Sequence, residues 1–226
     1  MKSAAPEKPA SERIAQILEA EILSGVIEPG TRIRQEEVAD RLGSSRLPVR
    51  EALRMLAASG LVQLETNRGA RIPHLDKGEV DVLYRMRERL EPLALSESMP
   101  HTTVEMFDEL EEIQCEIESG VNVSGFLELD RRFHLLSYSK CPTEDLRDSV
   151  ARLWNSTAQY RRAFMNVDGP HRQWIVNAEH RLLVDAMHRF DAKDGERYLV
   201  GHIRRTRKEL AAHPELFIKE SQKSST

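Results

Sequence analysis

Three arginines at four-residue spacing offer the first recognisable chemistry in this sequence. Arg46, Arg50 and Arg54 recur at an interval that places side chains on one face of an α-helix. Each guanidinium group carries a fork of N–H donors that fits a phosphate or the major-groove edge of a guanine. Because a row of charged residues is usually a solvated helix face, the surrounding elements must decide between that interpretation and nucleic-acid binding.

A second set of residues has the composition of a site for a transition metal. The proposed ligands are Asp130, His134, His180 and His202. Three imidazoles and one carboxylate suit Zn, Ni, Co or Mn, with water in the remaining positions. The spacing alone is weak evidence, since lone histidines are usually surface or hydrogen-bonded residues, and His188 and His213 lie on the same predicted helices.

The elements around the arginines predict a winged helix-turn-helix. Segments 35–42 and 46–59 have apolar residues at helical spacing, and Gly43 separates them. Alternating segments at 61–65 and 70–73 flank a Gly-tipped turn and predict a β-hairpin. Such a unit places its second helix in the DNA major groove. The predicted DNA-binding residues are Ser44, Ser45, Arg46, Arg50, Arg54, Arg68 and Gly69.

The rest of the chain predicts an antiparallel helical bundle. Long amphipathic segments follow residue 76, and no strand pattern interrupts them. The predicted helices span about 11–24, 77–99, 102–119, 123–139, 143–166, 170–192 and 194–213, besides the two of the helix-turn-helix. The predicted fold is therefore all-α with a small β-wing. We expect a flexible leader at 1–10, a DNA-binding domain at 11–74, a helical domain at 75–214 and a polar tail at 215–226.

Charge distribution favours a local DNA-binding patch over general nucleic-acid affinity. The 226-residue chain has a net charge of −4. Residues 1–74 hold 11 Lys and Arg against 10 Asp and Glu, whereas the remainder holds 22 against 27. The two cysteines lack metal-type spacing and are expected to be free thiols. No apolar run has the length of a membrane span and the N-terminus lacks a signal-peptide pattern, so we expect a cytoplasmic protein.

The predicted DNA-binding segment resembles the GntR family of bacterial transcription regulators. The similar stretches are 25–30 (GVIEPG), 45–53 (SRLPVREAL), 60–62 (GLV) and Gly69. The resemblance implies that Arg46 and Arg50 contact guanines and phosphates, and that the wing tip at Gly69 enters the minor groove. Leu47 stands where the family usually has threonine, and Glu36 where some members have a DNA-contacting arginine.

The helical segment resembles the FCD effector domain of the FadR-like subfamily. The similar stretches are 83–91 (LYRMRERLE), 130–134 (DRRFH), 179–186 (EHRLLVDA) and 202–203 (HI), and Phe190 stands where the family usually has glycine. The resemblance implies a metal held by Asp and three His, with a small carboxylate bound beside it. Arg87 is the candidate clamp for that carboxylate. Its alternative role is an ion pair with Glu91, four residues away.

These observations predict a bacterial DNA-binding transcription regulator. We expect a homodimer on palindromic operator DNA, and a repressor, although no motif distinguishes repression from activation. Its operator affinity would be controlled by a small organic or sugar acid near a divalent metal. Two alternatives are a metal-dependent, hydrolase-like enzyme, since such a metal can activate water, and a purely metal-responsive regulator.

Overall fold

The computed structural model describes residues 8–65, 69–167 and 169–217. The chain divides into two compact units, Met1–His74 and Leu75–Thr226. Arg68, one of the predicted DNA-binding residues, lies outside the described residues. In the described part of the chain no helix combines the length and apolarity needed to cross a bilayer.

The N-terminal unit is a helix-turn-helix with a small antiparallel sheet. Its elements are α1 (Ala10–Leu23), β1 (Arg32–Ile33), α2 (Gln35–Arg41), α3 (Arg46–Ala58), β2 (Gln63–Glu65) and β3 (Gly69–Arg71). The strands are ordered β1-β3-β2. The core forms because apolar residues at helical spacing on α1 and α3, including Leu18, Val49 and Leu53, are fully buried together.

Strand β1 is the element that the sequence pattern did not predict. It has two residues, Arg32 and Ile33, which pair with Arg71 and Ala70 of β3. Two residues are too few to show the alternation by which a strand is recognised. The strand exists because β3, far along the chain, offers a free edge to it.

Gly69 has a structural role in this sheet. Its φ is +91°, in the left-handed region that favours glycine, and an added Cβ would overlap the carbonyl oxygen of Ile33. Glycine is therefore required where β3 passes β1, independently of any contact with DNA.

The C-terminal unit is all-helical, which confirms the predicted fold class. Its helices are α4 (Lys77–Ser98), α5 (Val104–Glu118), α6 (Val123–Ser137), α7 (Glu144–Val167), α8 (Gly169–His188) and α9 (Ala192–Ala212), with 3₁₀ turns at Met99–His101 and Pro214–Phe217. Helix α4 begins with a capping box formed by Asp76 and Glu79. The apolar faces enclose a core that includes Phe126, Phe133 and Leu110.

Both predicted terminal segments overlap the folded units. Ala10, expected in the leader, is the first residue of α1. In the expected tail, Phe217 stacks on Tyr160 with ring centroids 5.4 Å apart. Residues 215–217 therefore belong to the helical unit, because Leu216 and Phe217 pack against its core.

Candidate nucleic-acid interface and candidate metal centre

Helix α3 presents its arginines to solvent while its opposite face is buried. Val49, Ala52 and Leu53 have no exposed surface. The side chains of Arg46, Arg50 and Arg54 are 70%, 51% and 56% exposed. Ser45 is the N-cap residue of α3, but its side chain makes no capping hydrogen bond. The predicted stripe of arginines is therefore present on the surface and available to a partner.

These arginines form one wall of a groove of about 730 Å³, here called the arginine groove. Its lining comprises Arg32, Arg34, Gln35, Glu36, Arg46, Arg50, Arg54, Leu64, Glu65 and Gly69. Helix α3, the start of α2 and the wing strands thus contribute to one open, cationic surface. An open groove with several guanidinium groups fits a polyanion better than a compact ligand.

Sequence patterns missed the contributions of β1 and α2 to this groove. Arg32 and Arg34 lie on either side of Ile33, which is buried in the sheet. They are brought to the groove by the β1–β3 pairing, which no local pattern predicts. Glu36 also lines the groove, and its carboxylate lies 3.0 Å from a guanidinium nitrogen of Arg46.

The four predicted metal ligands meet inside the helical unit. Their ligand atoms all lie within 4.8 Å of one another, and all four residues are buried. Asp130 and His134 come from α6, His180 from α8 and His202 from α9. The alternatives lie elsewhere: His188 stacks on Phe107, with centroids 4.3 Å apart, and Nδ1 of His213 bonds Glu215 at 2.8 Å.

Each histidine of the cluster is oriented by a hydrogen bond at Nδ1. His134 Nδ1 lies 3.2 Å from the Tyr138 hydroxyl, and His180 Nδ1 lies 2.8 Å from Oε1 of Gln114. His202 Nδ1 lies 2.9 Å from Oε2 of Glu179. The three partners come from α5, α8 and the end of α6, so four helices fix the three rings.

These partners determine which ring nitrogen carries the proton. An amide oxygen and a carboxylate only accept, so His180 and His202 must donate from Nδ1. The Tyr138 hydroxyl donates its proton to Glu91 at 2.8 Å, so it can only accept from His134. Each ring in its neutral form therefore turns an Nε2 lone pair toward the cluster. This arrangement is typical of metal-binding histidines, whose other nitrogen is held by a carboxylate, carbonyl or similar acceptor.

The inward-facing atoms of the cluster lack hydrogen-bond partners among the described residues. They are Nε2 of His134, His180 and His202 and both carboxylate oxygens of Asp130. Asp130 has a close ion pair instead, with Arg161 Nη2 at 2.7 Å. Buried polar atoms are normally paired, and three imidazole nitrogens without partners beside a carboxylate that has only an ion pair fit a divalent cation.

Burial favours the neutral imidazoles of His134 and His180. Desolvation, reinforced by neighbouring cationic groups, lowers the pKa of His134 and His180 well below the usual histidine value. Desolvation also raises the pKa of Asp130, although Arg161 opposes that shift. Neutral imidazole is the form that binds metals.

Arg87 makes the ion pair that was its alternative role. Its Nε donates to Glu91 at 2.5 Å and its Nη1 to Thr157 at 3.1 Å, and the residue is 2% exposed. Glu91 also accepts from Tyr138, which orients His134. Arg87 is therefore linked to the cluster of candidate metal ligands through two hydrogen-bonded side chains.

Three buried donors beside the cluster have no acceptor among the described residues. They are Trp154 Nε1, Arg161 Nε and the Tyr84 hydroxyl. The Trp154 ring lies 5.2 Å from that of His134 and 4.2 Å from the Arg87 guanidinium carbon. Of the adjacent pair Arg161 and Arg162, only Arg161 is buried. The surroundings of the cluster thus offer positive charge and unpaired donors to an anion.

The fold and the two sites define a class: a DNA-binding winged helix joined to a helical domain with a buried ligand set. Comparison with family models supports this class. Residues 10–72 match the gntR family of bacterial regulatory proteins, and residues 82–205 match the FCD domain. The chain belongs to the GntR family of bacterial transcriptional regulators, in the FadR-like group that carries an FCD domain.

Similar proteins support that assignment. The chain is 27% identical to the uncharacterised HTH-type transcriptional regulator YdhC of Bacillus subtilis (strain 168), over 80% of this chain and 82% of the relative. It is 25% identical to the HTH-type transcriptional repressor RspR of Escherichia coli (strain K12), over 88% of this chain and 87% of the relative. The E. coli McbR/YncC structure superposes with a TM-score of 0.79 at 21% identity, covering 92% and 99% of the two chains. These relatives are regulators of transcription, so the hydrolase-like alternative is set aside.

Proposed function

We propose that this regulator is a repressor that binds palindromic operator DNA as a homodimer in the cytoplasm, and that a small organic or sugar acid bound near a divalent metal controls its affinity. The observation that carries the proposal is the buried cluster of three Nε2 lone pairs without hydrogen-bond partners and one carboxylate that has only the Arg161 ion pair. Repression is inferred from the similarity to RspR, which is named a repressor.

DNA recognition rests on the arginine groove. Arg46, Arg50 and Arg54 are exposed on one helix face, and Gly69 of β3 lines the same groove. Ser44 and Ser45 precede α3, and Arg68 lies between β2 and β3 in the sequence. A single winged helix buries little surface, so two copies on a two-fold symmetric site are needed for strong discrimination.

Asp130, His134, His180 and His202 would hold Zn, Ni, Co or Mn. Bound there, the cation would supply positive charge and coordination positions for an anionic ligand. The residues' own contribution is preorganisation, since Gln114, Tyr138 and Glu179 already hold the three rings. Little reorganisation is then needed on loading.

Arg161 and Arg87 would recognise the acid. Arg161 has a free Nε donor, and Trp154 and Tyr84 supply two further donors in the same surroundings. Arg87 adds charge, and its link through Glu91 and Tyr138 would couple the acid to His134. A carboxylate is the ligand type that matches forked guanidinium donors.

Ligand binding would require the helices to separate. The cleft that Arg161 lines between α7, α8 and α9 has a volume of about 30 Å³. That space fits one or two water molecules rather than an organic acid. The acid would therefore favour a bundle arrangement with α7, α8 and α9 further apart, and this difference can couple the acid to DNA affinity.

The test measures coupling between acid and operator. Operator duplexes are selected from a random pool, and a thermal-shift screen of organic and sugar acids, with and without each metal, identifies a stabilising acid. Calorimetric titration of that acid should give affinities that differ about 5–150-fold with and without operator, because coupling of this kind is typically about 1–3 kcal/mol and reciprocal.

The controls separate the components of the proposal. Arg161→Lys should weaken acid binding because the fork is lost, whereas Arg162→Lys, on the adjacent position, should not. Equal acid affinities with and without operator would contradict regulation by the acid. DNA affinity that follows metal concentration and ignores every acid would identify a purely metal-responsive regulator.

A further inference from the structure

We propose that Glu36 determines operator specificity by orienting Arg46 and accepting a hydrogen bond from a cytosine amino group. This inference rests on the proposed operator binding. Two carboxylates line the arginine groove: Glu65 is paired with Arg32 and Arg71 in the sheet, and Glu36 lies on α2 beside Arg46.

The position of Glu36 is the first observation. It lines the arginine groove together with five arginines, and its side chain is 65% exposed. A carboxylate in such a groove repels DNA phosphates and cancels part of the attraction. Its presence in the groove is unfavourable for general DNA affinity, and a contact with a base edge would compensate for that cost.

The contact with Arg46 is the second observation. Oε1 of Glu36 lies 3.0 Å from Nη2 of Arg46, and both side chains are more than half exposed. Exposed ion pairs contribute little to folding stability, so this pair is not needed to hold α2 against α3. The ion pair does restrain the Arg46 guanidinium, because that group lies at the end of a long side chain with many rotamers.

The paired side chains match the major-groove edge of a G·C pair. Guanine presents two acceptors, N7 and O6, to an arginine fork, and cytosine presents the N4 amino donor to a carboxylate. Arg46 uses one nitrogen for Glu36 and keeps other donors for guanine. Thymine offers no such donor to a carboxylate, so the pair should discriminate at the cytosine position.

Selection from randomised duplexes tests this with Glu36→Gln and a matched control, Glu37→Gln. Glu37 neighbours Glu36 on α2, is 62% exposed and pairs with Arg34 at 3.1 Å, but does not line the groove. Both variants lose one negative charge. Both positions are exposed, so melting temperatures should match the parent and folding will not confound the result.

Wild type and Glu37→Gln should select one consensus with cytosine at a defined position of each half-site. Glu36→Gln should lose discrimination for cytosine at that position alone, by roughly 5- to 150-fold, and shift toward adenine, which glutamine recognises. If Glu36→Gln selects the parental consensus and only binds all DNA more tightly, as Glu37→Gln would, the inference is overturned. If wild type selects no sequence, operator binding itself fails and the inference fails with it.

Discussion

The same ion pair, arginine with glutamate, occurs in this protein in two opposite environments. Arg46 and Glu36 are 3.0 Å apart with side chains 70% and 65% exposed, whereas Arg87 and Glu91 are 2.5 Å apart with side chains 2% and 0% exposed. In water the pair contributes little and its members can exchange partners. In the interior, removal of one member leaves a charge that nothing solvates. The exposed pair is therefore suited to recognition, and the buried pair to fixing an arrangement.

The largest expected effect comes from breaking the buried pair. Glu91→Ala should destabilise the helical unit by about 3–5 kcal/mol, because Arg87 is left as an uncompensated buried charge. Glu36→Ala should change stability by less than about 0.5 kcal/mol. Scanning calorimetry of both variants checks this. Similar melting temperatures for the two would mean that environment does not distinguish the pairs.

Removal of a buried metal ligand should have the next largest effect. His180→Ala should lose its metal in elemental analysis, and with it the stabilisation by mass action, about 2.7 kcal/mol at a metal concentration 100 times Kd. His188→Ala, on the same helix but outside the cluster, should keep its metal and the stabilisation that the metal supplies. Full metal occupancy in His180→Ala would remove that residue from the ligand set.

Loss of an exposed groove arginine should affect DNA and not stability. Arg50→Ala should weaken operator binding by about 1–3 kcal/mol if the residue contacts a guanine. Arg41→Ala is the control, because Arg41 pairs with Glu21 at 2.5 Å and is not among the residues that line the groove. Equal losses in fluorescence-anisotropy titrations would indicate general electrostatic attraction instead of a specific contact.

The smallest expected effect concerns pH. The hydrogen bond from Arg181, helped by Gln114, lowers the pKa of Glu118 to about 2, against about 4.3 for an unfolded glutamate. The carboxylate therefore stabilises the fold above pH ~4.3, and this contribution is lost as the pH falls toward ~2. Because Glu118 is partly exposed, the contribution should be under about 1 kcal/mol.

Melting of metal-free Glu118→Gln against the parent measures this contribution. The two melting temperatures should differ at pH 6 and converge as the pH approaches 2. Glu116→Gln, on the exposed face of the same helix, should track the parent throughout. A difference that persists at pH 2 would exclude the Arg181 pairing as its source.

Sequence patterns predicted the helices, because the apolar spacing that defines a helix lies within one short segment. They did not predict which side chains from distant segments meet in the folded protein. The helices follow from apolar spacing, and the arginine stripe of α3 follows from four-residue intervals. The prediction that Asp130, His134, His180 and His202 form one ligand set rested mainly on family resemblance, because spacing alone left His188 and His213 as alternatives.

Contacts between distant segments were not predictable. Gln114 orients His180 across 66 positions of sequence. Glu179, adjacent to His180, bonds instead to His202. The choice of Arg161 over Arg162 depends on the exact rotation of α7 in the bundle. These contacts depend on tertiary packing, which hydrophobic periodicity does not predict.

The close passage of Gly69 over Ile33 has a consequence for the kinetics of DNA binding. It fastens the wing to β1, and only Arg34 separates β1 from α2. The wing strands and α2, which both line the groove, are therefore joined before DNA binds. The entropy cost of ordering them is incurred during folding and does not weaken DNA binding. Groove variants that keep the net charge should then have nearly the same association rate, and their differences in affinity should appear in the dissociation rate.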